Sequence, residues 1–220
     1  MRFMFVYILY VISAIFCPAQ AAESTEPRIT LAAPEVKFWL NASVPVSRPT
    51  ATRAVKWHFH AFMPNLVQPG GRAPWFYTGP SWQVNDQFNL ELVGGFGTGI
   101  GDDASGVAPV AGLWLTWTPP QGWFFWSALE WWGLPHSDTL FAMGMLTKQV
   151  KQSPVSLGIE ARATWTPSVP DSAYGYAGLN IGLRLNQQFS VRVALLAQGG
   201  PNSEPWGVGP NIFLFFNPQP

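Results

Sequence analysis

This sequence predicts an all-β fold: an up-and-down antiparallel β-barrel of about ten strands, eight to twelve being compatible with its segments, that crosses a membrane by its strands. Three observations lead there. From Val55 onward the chain divides into segments of about ten residues with alternating apolar and polar character. Only 11% of residues are charged, against about 25% in a soluble domain, while 15% are aromatic and twelve are Trp. After residue 21 no apolar run reaches the roughly 20 residues that a membrane helix needs. A surface so poor in charge can then meet lipid only through strands, which satisfy their backbone groups when the sheet closes.

Taken from the N-terminus, MRFMFVYILYVISAIFCPAQA places one positive charge before an apolar run and ends in Ala19-Gln20-Ala21. A small-x-small ending of this kind predicts a secretory signal peptide over residues 1–21. Cys17 falls inside it, so the mature chain carries neither a disulfide framework nor a cysteine metal site. Residues 22–54, rich in Pro, Thr and Ser, read as a largely irregular N-terminal extension, with VKFWLNASV as a short helix or an extra strand. Asn41-Ala42-Ser43 within it matches a glycosylation acceptor, a chance match unless the source organism glycosylates such sites. The remainder is long enough for one domain. Its formal net charge of zero offers no electrostatic footprint for nucleic acid.

The barrel itself is expected over residues 55–216, followed by a tail at 217–220. Its segments span 55–63, 74–84, 87–98, 107–118, 122–132, 138–149, 153–166, 173–185, 187–198 and 206–216. Tight connections (Asn85-Asp86, Pro119-Pro120-Gln121, Lys151-Gln152, Asn186) alternate with longer ones near 64–73, 99–106, 133–137, 167–172 and 199–205. Short turns on one side and longer loops on the other belong to an up-and-down barrel. GFGTGIGDDASG, residues 95–106, superficially resembles a phosphate cradle. Its glycines miss the dinucleotide spacing, because the sixth place is Ile100 or Asp102, and VAPVAGLWLTW follows as a strand. It reads instead as the loop tip between two strands.

Successive side chains on a strand point to opposite faces, so odd and even positions sort separately. Val155, Leu157, Ile159, Ala161, Ala163 and Trp165 share one face of their segment, against Ser156, Gly158, Glu160, Arg162 and Thr164. Leu179, Ile181 and Leu183 oppose Asn180, Gly182 and Arg184, and Val191, Val193 and Leu195 oppose Ser190 and Arg192. Val55, Trp57 and Phe59 oppose Lys56, His58 and His60. A water-facing polar row should be dense in Lys, Glu and Asp. This one is mostly Gly, Ser, Thr, Asn and Ala with isolated charges, which suits a crowded lumen. Lys56, Arg162, Arg184 and Arg192 nearly balance Glu91, Glu130 and Glu160. Enclosed charges must be paired, so these residues, with His58 and His60, predict a lumenal network that fills the barrel. An ion path is the functional alternative.

Trp75, Trp82, Trp114, Trp117, Trp123, Trp131, Trp132, Trp165 and Trp206 lie near segment ends, as in the aromatic girdles of transmembrane barrels. On these features residues 55–216 resemble the bacterial outer-membrane β-barrel class. The closing segment VGPNIFLFF, with Val208, Ile212, Leu214 and Phe216 in phase, is similar to the C-terminal strand that the barrel-assembly machinery reads in that class. The resemblance implies export to the outer membrane and contact with its lipid. An even strand number would put both barrel ends on the periplasmic side.

Catalytic and metal chemistry have thin support in the sequence. His58 and His60 stand two apart on one face, a spacing that could hold a metal, but no third ligand is apparent, so neither metal nor cofactor is assigned. His136-Ser137-Asp138 and Asp102-Asp103 occupy loops. They are similar to the acidic pair and Asp/His pair that the omptin proteases carry at the barrel rim, although the order here is His-x-Asp. Barrel lipid-A deacylases use a Ser/His pair, and no matching motif surrounds His58 or His60. The sequence therefore predicts a structural or narrow-pore barrel with a side-chain-filled polar lumen, a small solute or a lipid being the candidate partner. The alternatives are a rim hydrolase and a secreted lipocalin-like binder with its apolar face inward.

Overall fold

The computed structural model describes residues 29–46, 54–64, 66, 74–100, 106–134, 137–200 and 206–218. Twelve strands follow one another in chain order: β1 (Ile29–Leu31), β2 (Glu35–Pro45), β3 (Val55–Met63), β4 (Trp75–Asn85), β5 (Phe88–Ile100), β6 (Gly106–Trp117), β7 (Trp123–Leu134), β8 (Ser137–Gln149), β9 (Val155–Trp165), β10 (Tyr174–Arg184), β11 (Phe189–Gly199) and β12 (Trp206–Phe216). Each strand from β2 to β12 pairs with its sequence neighbour, antiparallel, and β12 returns to pair with β2. The result is a closed barrel of eleven strands, with β1 as a short addition.

Closure runs through a parallel seam. Asn211 to Phe216 of β12 lie against Glu35 to Leu40 of β2, and Trp206 to Val208 lie against Ile29 to Leu31 of β1. β1 and β2 form one line along β12, interrupted at residues 32–34, where Pro34 lacks an amide hydrogen. Pro210, also without one, faces this break, so neither proline removes a ladder bond.

Three expectations are corrected here. Within the span expected as an N-terminal extension, VKFWLNASV takes the strand alternative as the body of β2, and the barrel wall begins at Glu35 rather than Val55. Because β2 runs parallel to β12, the strand count is odd and the two barrel ends of the chain lie at opposite rims. The glycine-rich stretch is only partly a loop tip, since β5 continues to Ile100 and carries Gly95 and Gly97 in the wall. A Cβ on Gly95 would fall 1.9 Å from the Phe76 carbonyl oxygen, and one on Gly97 would enter the Trp75 indole at 2.5 Å. These glycines let the wall curve and let an aromatic ring lie flat against it.

The tight turns have the predicted chemistry. Asn85 Oδ1 accepts the Gln87 amide at 2.9 Å, and Asn186 Oδ1 accepts those of Gln188 and Phe189 at 2.8 and 2.7 Å. Gln121 and Gly122 both take positive φ to turn β6 into β7.

The barrel is inverted relative to a soluble protein. Leu157, Ile159, Leu179, Ile181, Val193 and Leu195 stand on its outer surface, Leu179 at 69% exposure. Glu91, Glu130, Glu160, Arg162 and Arg192 are buried inside, Glu160 at 2%. The apolar row that a lipocalin-like barrel would turn inward faces out. The apolar core lies in the lumen and is aromatic: Trp75, Tyr77, Val93, Val110 and Trp114, with Trp39, Trp126 and Trp132 packed against them.

Candidate functional site

Inward side chains of β3 and β5 meet at Glu91. His58 and His60 alternate inward along β3, and Glu91 projects from β5, with β4 between them. What lets a carboxylate reach across a whole strand is Gly79, which pairs with His58 and presents no side chain. A Cβ there would lie 1.8 Å from the Leu92 carbonyl oxygen, so the gap is enforced by the backbone. His60 Nε2 donates to Glu91 Oε1 at 2.5 Å. His58 Nδ1 lies 2.9 Å from Oε2, off the line of a hydrogen bond. The His60 ring is held by Trp114 and Trp39, with centroids 4.7 and 5.7 Å away, and its Nδ1 is buried without a hydrogen-bond partner.

His58 also lines a cavity of about 260 Å³ that opens at the short-turn rim, together with Lys56, Ser81, Gln83, Asn89 and Thr116. Ser81 and Asn89 hydrogen-bond to each other on its wall, the Asn89 amide donating to Ser81 Oγ at 2.7 Å. The three donor residues His58, His60 and Glu91 present ligand atoms within 4.8 Å of one another. The third donor that sequence spacing did not reveal beside the two histidines is Glu91, brought in by strand register. A glycine on the intervening strand, facing the histidine pair, is the signal that could have found it.

Glu130 occupies a different environment from the predicted Arg/Glu network. Its carboxyl accepts from Trp114 Nε1 at 2.8 Å, Trp132 Nε1 at 2.7 Å and the Tyr77 hydroxyl at 3.4 Å. Aromatic edges, not cations, satisfy this buried group. The wide indoles of β6 and β7 fill the space that a guanidinium would need.

The network itself forms on the opposite wall. Glu160 Oε1 accepts from Arg162 at 2.5 Å, Oε2 lies 3.2 Å from Arg192 Nε, and Asn180 donates to Oε2 at 3.4 Å. Both guanidiniums lie over Phe213, with centroid distances of 4.8 Å for Arg162 and 4.4 Å for Arg192. Arg192 also reaches the Met145 sulfur. Two members escaped sequence reasoning because they sit in β2: buried Lys37 pairs with Glu35 at 2.6 Å, and Asn211 donates to Glu35 at 2.8 Å.

Other predicted residues fall elsewhere. Lys56 and Arg184 are exposed near the short-turn rim and outside the buried network, because the inward row runs out of the lumen at the strand ends. Asp138 is exposed at the start of β8, opposite Gly133, while Asp102, Asp103 and His136 lie outside the described residues. Of the expected girdle, Trp123, Trp131 and Trp165 stand outside. Trp75, Trp114 and Trp132 instead fill the lumen, because their strand parity matches Tyr77, Val110 and Glu130. Asn41, of the glycosylation match, pairs with His60 on the inward row of β2, its Oδ1 buried.

No protein-family model matches this chain, and no curated protein matches it in sequence.

Chemically, the lumen has two polar walls, one a carboxylate among aromatic donors and one a carboxylate between two guanidiniums. The His58, His60 and Glu91 group meets the cavity at the short-turn rim through His58, while Glu35 and Asn211 line a second, smaller pocket.

Proposed function

We infer that this chain is an exported outer-membrane β-barrel of structural type, its polar lumen filled by its own side chains. The observation that carries the reading is the inversion of the wall: aliphatic rows outside, carboxylates and guanidiniums buried inside. Such a wall in water would expose an apolar surface far larger than the few hundred Å² that soluble monomers tolerate. Eleven-residue strands such as β9 and β10 rise about 3.3 Å per residue, and tilted by about 40° they cover about 28 Å, the height of a lipid-facing band. The signal sequence and the closing segment ending in Phe216 supply the route to the membrane, through the barrel-assembly machinery. Within the lumen, Trp39, Trp75, Trp114, Trp126 and Trp132 occupy the bore from one wall, and Phe213 with its two arginines from the other. A solute path is therefore blocked at rest.

Membrane extraction and planar-bilayer recording test this together. The protein should require detergent, migrate faster on gels before boiling than after, and give no steady conductance in a bilayer. Release in detergent-free buffer after signal removal overturns the membrane reading, and a stable conductance overturns the filled lumen.

A further inference from the structure

We propose that His58, His60 and Glu91 form a binding site for one divalent transition-metal ion, of the kind that accepts two imidazoles and a carboxylate, as Zn²⁺ does. The inference stands on the barrel interior and holds whichever membrane the barrel occupies. Four observations converge on it. The donor set is right in type: borderline imidazole nitrogens with one carboxylate suit Zn²⁺, Cu²⁺, Ni²⁺ or Fe²⁺ and are a poor match for Ca²⁺ or Mg²⁺. The donors are already gathered, all within 4.8 Å. Bonds of about 2.1 Å in a tetrahedral site put ligand atoms about 3.4 Å apart, so small side-chain rotations convert the present contacts into coordination.

The gathering is also built rather than accidental. Gly79 leaves open the corridor through which Glu91 reaches both rings, and its backbone surroundings exclude a side chain there. Trp114 and Trp39 fix the His60 ring. A pure hydrogen-bonding role leaves a remainder unexplained: the carboxylate satisfies His60 through Nε2 only, and His58 Nδ1 approaches Oε2 without a hydrogen bond. Finally, the site has a path. His58 lies on the wall of the 260 Å³ cavity at the short-turn rim, so an ion can arrive from that side and keep a solvent-facing coordination position.

The test uses the full barrel in detergent, purified without a polyhistidine tag and stripped with a chelator. Equilibrium dialysis against Zn²⁺ alone should give one retained ion per chain, and Co²⁺ alone should give visible d–d bands. His58→Ala, His60→Ala and Glu91→Gln should each weaken binding by at least about tenfold, while His136→Ala leaves it unchanged. Gel mobility before and after boiling confirms that each variant is folded. Should a variant fail to fold, Cu²⁺ bound to the unaltered chain gives an independent reading, with superhyperfine coupling from two nitrogens expected in its electron paramagnetic resonance spectrum. Retention well below one ion per chain overturns the proposal. So does binding that survives the His60 and Glu91 substitutions, or a copper spectrum without nitrogen coupling.

Discussion

Removing the Glu160 carboxylate would leave Arg162 and Arg192 buried beside each other without the anion they share. Breaking a buried pair from one side costs about 3–5 kcal/mol. Glu160→Ala should therefore lower the urea midpoint of the barrel in detergent by that equivalent, and an unchanged midpoint would show that the cluster contributes nothing. Glu130 poses a different case, because its partners are neutral donors. Glu130→Ala strands two indole N–H groups and a phenol, at about 1–3 kcal/mol for each group left unsatisfied. Glu130→Gln keeps one acceptor oxygen and should lose less. Urea midpoints with Trp fluorescence rank the two, and equal losses would refute a hydrogen-bonding role. At this scale clean alternation puts the charges of β9 and β11 on one face of each strand, and in the structure Glu160, Arg162 and Arg192 are buried. Parity puts Trp132 on the face of Glu130, two residues away, but it could not tell that Trp114 and Tyr77 reach the same carboxyl, because they come from other strands.

Strands β3 to β12 were legible to within two or three residues, for their turns carry Asn, Pro and Gly at the right places. β2 was not, because its neighbours in sequence are Pro-rich and its hydrogen-bonding partner β12 lies at the far end of the chain. The seam it makes can be tested by chemistry. Phe38 and Leu214 are direct partners across it, and Cys17 is the chain's one cysteine. A Phe38→Cys, Leu214→Cys double variant should oxidise to an intramolecular disulfide that locks the closed form. Its mobility on boiling should then depend on reductant, while either single variant behaves like the parent. Failure to crosslink would place the closure elsewhere.

For the molecule as a whole the decisive quantity is the medium against the outer wall. Leu179 sits at the middle of β10 and is 69% exposed. If acyl chains cover it, Leu179→Arg should cost about 2–4 kcal/mol, whereas in water the same change is close to neutral. Spin labels at Leu157 and Leu179 report the medium directly, and an aqueous signal at both would remove the membrane reading. The low charge content made this outward orientation readable in advance, since a wetted polar face needs many more Lys, Glu and Asp. The aromatic filling of the lumen was not readable, because girdle and core both draw on Trp.

Strand spans and the partition of each strand into two faces were determined by the sequence alone, since a period of two and the chemistry of turns are properties of a few consecutive residues. The tertiary structure decided the parallel closure of β2 on β12, the meeting of His58 and His60 with Glu91 across Gly79, and the division of the tryptophans between wall and lumen. Each of these depends on which residue faces which across a curved sheet, and register and curvature are set by all the strands closing together.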